Sequence, residues 1–153
     1  IEVGELQVMS AGTGLTHSEF NDSKTDAVNF LQLWIIPEEI NVEPNYEQRG
    51  FASEGKKNQL QAVVAPKDKL EGDALPISQQ AYIYRMHLEI DKTIDVSLKS
   101  QKNGLYIFVV YGEIEVEGNF LSKRDAVGIY ETNQILIESK ENSELIIIEV
   151  PMS

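Results

Sequence analysis

The chain has 153 residues, 42% of them hydrophobic, which is enough for one domain with a real core, or for one domain and part of another. Its 13 basic and 25 acidic residues give a formal charge of -12, and no run of Lys or Arg exceeds two, so direct binding to a nucleic-acid backbone is excluded for want of a basic patch. The absence of cysteine excludes disulfides, zinc ribbons and thiol catalysis, and fits a reducing, cytoplasmic setting.

The first residues, Ile1 to Glu5, carry no basic leader, and the longest apolar run, Leu105 to Tyr111, is far short of the ~20 residues a membrane helix needs, so neither export nor insertion is expected. Val3, Leu6, Val8 and Met9 already read as strand. That start fits either a processed or trimmed terminus or a fold whose upstream piece is missing. "AGTGLTHSEF" follows, Ala11 to Phe20. In an extended strand, His17 and Glu19 would share one side, as half of a metal site. A His-x-Glu near a strand end is also common by chance, and Thr16, Ser18 and Glu19 suit turn amides equally well. Gly12 and Gly14 read as turn residues, because the strand, helix and spacing of a phosphate loop do not surround them.

Predicted strands are Leu6 to Met9, Val28 to Ile36, Gln59 to Val64, Ala81 to Ile90, Thr93 to Leu98, Leu105 to Val116, Asn119 to Leu121, Ala126 to Tyr130, Gln134 to Ile137 and Leu145 to Val150. They are short, rich in β-branched and aromatic residues, and bounded by turn residues, and no helical stripe competes with them. Trp34 is expected in the core. The stretch Pro37 to Gly50 holds two prolines and little apolar pattern, so it reads as a connection with a domain boundary near Gly50. A second loop-rich stretch, Ala65 to Gln80, is expected to wrap one end of the second unit.

In "YIYRMHLEI", Tyr82, Tyr84, Met86, Leu88 and Ile90 alternate with Ile83, Arg85, His87 and Glu89, giving one buried and one wet face. His87 then reads as an ordinary surface histidine. Ile114 and Val116 point inward between Glu113, Glu115 and Glu117, and Glu117-Gly118-Asn119 predicts a tight hairpin. "LYIFVVY" is apolar on both faces, as a strand covered on each side would be.

"GELQVMSAGTGLTHSEF", then "FLQLWIIP", then "PNYEQ" resemble the pirin family of bicupins, which includes quercetin 2,3-dioxygenase-like members. The resemblance covers essentially the whole chain. It implies an all-β cupin fold, a jelly-roll-like barrel. Residues 1–37 would be the last strands of a truncated N-terminal cupin, 38–50 a linker, and 51–153 a complete C-terminal cupin. "GEIEVEGNFLSKRDAVGIYE" is similar to the middle of that second cupin, and Lys123-Arg124-Asp125 stands where many cupins have a Pro/Ala-Gly-Asp turn.

In the family, three histidines and a glutamate hold a metal in the first cupin. Two of the histidines form a His-x-His pair, which this chain does not contain. The resemblance therefore implies that His17 and Glu19 are metal ligands of an incomplete site, that Glu19 also takes a proton in catalysis, and that the second cupin is metal-free. The cofactor implied is a divalent iron, copper, nickel or manganese ion in the full-length protein, absent or weakly bound in this chain.

Three functions follow. The chain is the C-terminal part of a metal-dependent oxygenase acting on a small aromatic or flavonol-like substrate, a non-catalytic regulatory or protein-interaction cupin, or a cupin scaffold whose parent binds another small molecule. Unpaired strand edges in residues 1–37 further predict self-association or a retained upstream fragment.

Overall fold

In a computed structural model, which describes residues 1–152, the regular structure consists almost wholly of strands. They are β1 (Glu5–Ser10), β2 (Asn45–Gly50), β3 (Gln61–Pro66), β4 (Leu75–Ile77), β5 (Tyr82–Leu88), β6 (Thr93–Ser97), β7 (Asn103–Tyr111), β8 (Glu113–Val116), β9 (Asn119–Ser122), β10 (Ala126–Ile129), β11 (Gln134–Ser139) and β12 (Ser143–Pro151). One 3-10 turn, Ser53–Lys56, precedes β3.

From β3 onward the strands form two facing sheets, a six-stranded one in the order β10-β7-β12-β5-β3-β4 and a four-stranded one in the order β6-β11-β8-β9. Neighbours are antiparallel except β3 and β4. The period-two alternation sends one side of each strand between the sheets. Tyr82, Tyr84, Met86 and Leu88 of β5 meet Ile107 and Val109 of β7, Ile114 and Val116 of β8, Ile135 and Ile137 of β11, and Leu145 and Ile147 of β12 in one core. Each such side chain contributes about 1.5–3 kcal/mol by leaving water.

A second, smaller core lies on the outer face of the six-stranded sheet. Val63, Val64 and Ile83 are covered there by Leu6 and Val8 of β1, by Ile35 and by Phe51. A bulge between Ala62 and Val64 makes this possible by turning successive valines toward that side. The β1–β2 ribbon is thereby fastened to the barrel.

Several expectations are corrected. Val28 to Ile36 forms no strand, and Trp34, expected in the core, is 89% exposed. An extended segment needs a partner for its amides and carbonyls, and among the described residues none lies alongside. Part of the expected connection 38–50 is a strand: β2 pairs antiparallel with β1, from Glu5 opposite Gly50 to Ser10 opposite Asn45. The single strand expected from Leu105 to Val116 breaks at Gly112, which has φ +89°, and a Cβ there would sit 2.3 Å from the Ser143 hydroxyl.

"LYIFVVY" is covered on one side only, since Tyr106 and Tyr111 remain exposed. Ile90, expected to face inward, is exposed just beyond the end of β5, where Asp91 turns the chain with φ +60°. The Glu117-Gly118 hairpin is as expected, with φ +49° and +77° setting Val116 opposite Asn119.

Candidate functional site

β1 ends at Ser10, and Ala11–Gly14 closes as a turn in which the Gly14 amide donates to the Ala11 carbonyl at 2.8 Å. Gly12 lies so close to the opposing chain that a Cβ would be 2.1 Å from the Val42 carbonyl oxygen. That crossing accounts for the glycine without any phosphate.

His17 and Glu19 lie beyond this turn in a segment without strand structure, both exposed, so no ladder fixes them on a common side. Just downstream, the loop is tied by its own polar groups: the Ser23 amide donates to Asn21 Oδ1 at 3.1 Å, and Asn21 Nδ2 donates to the Asp26 carbonyl at 2.7 Å. His87 stands on the outer face of β5 but is half-buried, with Nδ1 3.1 Å from Glu144 Oε1, while the other Glu144 oxygen holds the Lys56 ammonium. Among the described residues no three His, Asp or Glu side chains gather where a metal ion would be held. An imidazole and a carboxylate are donor types that first-row divalent metals accept, but two donors fall short of a closed shell.

Two features escaped the sequence reading. Arg85, placed on the wet face, is a tie between units. Its Nε donates to Gln61 Oε1 at 2.6 Å and its Nη1 to the Gly4 carbonyl at 3.2 Å, while Nη2 reaches the carbonyls of Phe51 and Ala52. Burial pushes its guanidinium below the ordinary value.

The other feature is a polar cluster inside one end of the barrel. Glu149 continues the inward series Leu145, Ile147 on β12 and is 1% exposed. A carboxylate at an inward parity in "LIIIEV" was the available signal. Its Oε1 accepts the Lys99 amide at 2.7 Å and Asn103 Nδ2 at 2.6 Å. Tyr82 lies opposite Glu149 in the β5–β12 pairing, and its ring stacks with Tyr84 at 6.1 Å. Both phenols are raised above their ordinary value, first by burial and then by Glu71, with Glu149 adding to the shift in each.

In the second unit, the turn Lys123-Arg124-Asp125 closes with the Asp125 amide donating to the Ser122 carbonyl and the Ser122 amide to Asp125 Oδ2, both at 2.9 Å. Arg124 takes φ +77°, the conformation that a glycine would hold without strain.

Two facing, mostly antiparallel sheets closed around one core, entered from a ribbon that leads into a His-x-Glu segment, make this protein a cupin. It belongs to the pirin family. Residues 1–35 match the family model described as Pirin, and residues 63–150 match that of the quercetinase C-terminal cupin domain.

The chain is 36% identical over 152 residues to a quercetin 2,3-dioxygenase of Escherichia coli strain K12, covering 99% of this chain and 63% of the relative. It is 30% identical over 146 residues to a pirin-like protein of Caulobacter vibrioides, covering 95% of this chain and 62% of that protein. The crystal structure of bacterial pirin YhhW from Escherichia coli in complex with nickel(II) superposes with a TM-score of 0.89 at 33% identity, over 98% of this chain and 62% of that one. The chain thus spans a little under two thirds of the length of these relatives. Among the described residues no helix is long and apolar enough to cross a membrane.

Proposed function

We propose that this chain is the C-terminal portion of a metal-dependent, quercetin 2,3-dioxygenase-like oxygenase, to whose centre it contributes His17 and Glu19. Residues 1–37 belong with a first cupin, and 51–153 form the second. The observation that carries the reading is the His17-x-Glu19 pair inside the segment that matches the Pirin model. The relative named quercetin 2,3-dioxygenase and the nickel(II) complex of YhhW support it.

A divalent first-row metal, when bound, would supply an electrophilic centre at which a flavonol-like substrate is oriented. His17 and Glu19 would hold the ion through an imidazole nitrogen and a carboxylate oxygen, and Glu19 would accept the substrate hydroxyl proton. The remaining donors come from residues outside this sequence, and the ion is iron, copper, nickel or manganese. Oxygen uptake on quercetin tests the proposal: a form extended upstream to the relatives' length should consume oxygen, and lose that activity with His17→Ala or Glu19→Ala. An extended form that is inactive with metal bound would refute it.

One observation favours a second reading, an interaction cupin without catalysis. Leu15, Phe20, Phe30, Trp34, Ile36 and Ile40 are all exposed, an apolar surface that a partner or a second copy would cover. Sedimentation showing a monomer at all concentrations would count against it.

A further inference from the structure

The six-stranded sheet has two edges, and they are finished differently. At one, β4 carries Pro76, and the segment ahead of β2 lies at its end, where the Glu38 amide donates to the Ser78 carbonyl at 2.7 Å. At the other, β10 is Ala126-Val127-Gly128-Ile129, with neither a charge nor a proline to guard it.

The bonding of β10 to β7 shows which of its groups are left over. The Val109 carbonyl accepts the Arg124 amide at 2.7 Å, and the Val109 amide donates to the Asp125 carbonyl at 3.0 Å. Antiparallel bonding alternates, so the next residues of β7 to face β10 are Ile107 and Leu105, opposite Val127 and Ile129. The amides and carbonyls of Ala126 and Gly128 therefore point away from the sheet. Both residues are exposed, and no further segment among the described residues hydrogen-bonds them. No atom comes within 4 Å of a Cβ built at Gly128, so the approach to this edge is open.

Opposite charges bracket the edge. Arg124 and Glu131, with φ +77° and +59°, turn the chain at its two ends. At the start, Lys123 lies 5.6 Å from the Tyr111 ring centre and Arg124 lies 6.0 Å from that of Phe108. Among the described residues neither cation, nor Glu131 at the finish, has an ion-pair partner.

We propose that β10 pairs antiparallel with β10 of a second copy, joining two six-stranded sheets into one. About a twofold axis at Val127, Ala126 and Gly128 exchange N–H···O bonds with the partner's Gly128 and the partner's Ala126. The same register brings Lys123 beside the partner's Glu131 and Arg124 beside the partner's Tyr130. Charge order selects this occupant: the start of the edge is cationic and its finish anionic, so only an antiparallel copy sets unlike charges together. In a chain of net charge -12, two copies meet best where cations stand. An edge of 4 residues buries little, so the dimer belongs to the weak class and forms at high concentration.

Sedimentation equilibrium up to about 1 mM protein measures the association, and residue-resolved amide exchange locates it. A monomer–dimer equilibrium is expected, with the Ala126 and Gly128 amides slowing as concentration rises. Gly128→Pro deletes an outward donor at an edge position where proline is tolerated, and should abolish the dimer while the fold stays. Glu131→Lys should weaken the dimer about tenfold by making both end contacts repulsive, and adding Lys123→Glu to it should restore most of the loss. These two surface substitutions carry the test even if Gly128→Pro disturbs β10. Protein that stays monomeric at about 1 mM, whether or not the edge takes up an added extended peptide, would overturn the assignment. So would a dimer indifferent to Glu131→Lys, or one that leaves the Ala126 and Gly128 amides unprotected.

Discussion

Replacing Arg85 by methionine keeps most of the aliphatic stem and removes every hydrogen bond the side chain makes. Four acceptors lose their donor: Gln61 Oε1 and the carbonyls of Gly4, Phe51 and Ala52. The guanidinium also leaves the face of Phe51, whose ring centre lies 5.5 Å away. Bonds from a charged donor contribute about 1.5–3 kcal/mol each when enclosed, but a half-exposed arginine leaves some acceptors to water, so roughly 1 kcal/mol apiece is appropriate. The lost ring contact adds about 0.5–1 kcal/mol. The total is about 4–5 kcal/mol, a large share of the ~5–15 kcal/mol that holds a domain together. At about 2–4 °C per kcal/mol for a chain of this size, the thermal midpoint should fall by ~10 °C or more.

The loss is also local. Gly4 precedes β1, and Phe51 and Ala52 follow β2, so amide exchange in the β1–β2 ribbon should accelerate more than exchange in β7 or β12. Arg85→Lys retains the charge but not the fork, and should lose about half as much. Urea denaturation gives the free energies and exchange mass spectrometry gives the location. A loss below about 1 kcal/mol in Arg85→Met, with ribbon protection unchanged, would refute the reading of Arg85 as the tie between ribbon and barrel.

Two further substitutions or titrations follow from the geometry. Arg124 holds φ +77° while its guanidinium lies 6.0 Å from the Phe108 ring centre; Arg124→Gly relieves about 1 kcal/mol of backbone strain and Arg124→Ala does not, so the glycine variant should be more stable than the alanine by roughly that amount in urea, and equal stabilities would contradict it. Tyr82 and Tyr84 have folded values raised above 10.0, so the stability they contribute is complete below that pH and is lost as pH climbs past it toward the folded values. An ultraviolet titration of the six tyrosines should show two phenols that ionise at higher pH than the other four, and a single common titration of all six in the folded protein would contradict it.

The sequence made the barrel legible wherever alternation and turn chemistry agreed. Tyr82, Tyr84, Met86 and Leu88 face inward as their parity requires, and Glu117-Gly118 turns the chain as its residue types require. Apolar content without a partner misled. Val28 to Ile36 has the composition of a strand and, among the described residues, no neighbouring strand to pair with, whereas "NYEQRG" has a polar composition and becomes β2 because β1 lies beside it. Arg85 could not be read as a tie, because its acceptors are backbone carbonyls brought near by tertiary folding. The ligand role proposed for His17 and Glu19 rests on the family resemblance, since spacing alone does not separate a ligand pair from turn residues. Glu149 was legible in principle, as a charge standing at an inward position of an apolar strand.

Elemental analysis bears most directly on the claim that His17 and Glu19 are donors to a metal centre completed from outside this sequence. The 153-residue chain and a form extended upstream to the length of its relatives would be purified side by side after mild chelation. Substoichiometric metal is predicted in the first. In the second, one tightly held ion per chain is predicted, and it should be lost on His17→Ala or on Glu19→Ala. One tightly held ion in the 153-residue chain that survives His17→Ala, or an extended form whose metal is indifferent to both substitutions, would contradict the claim.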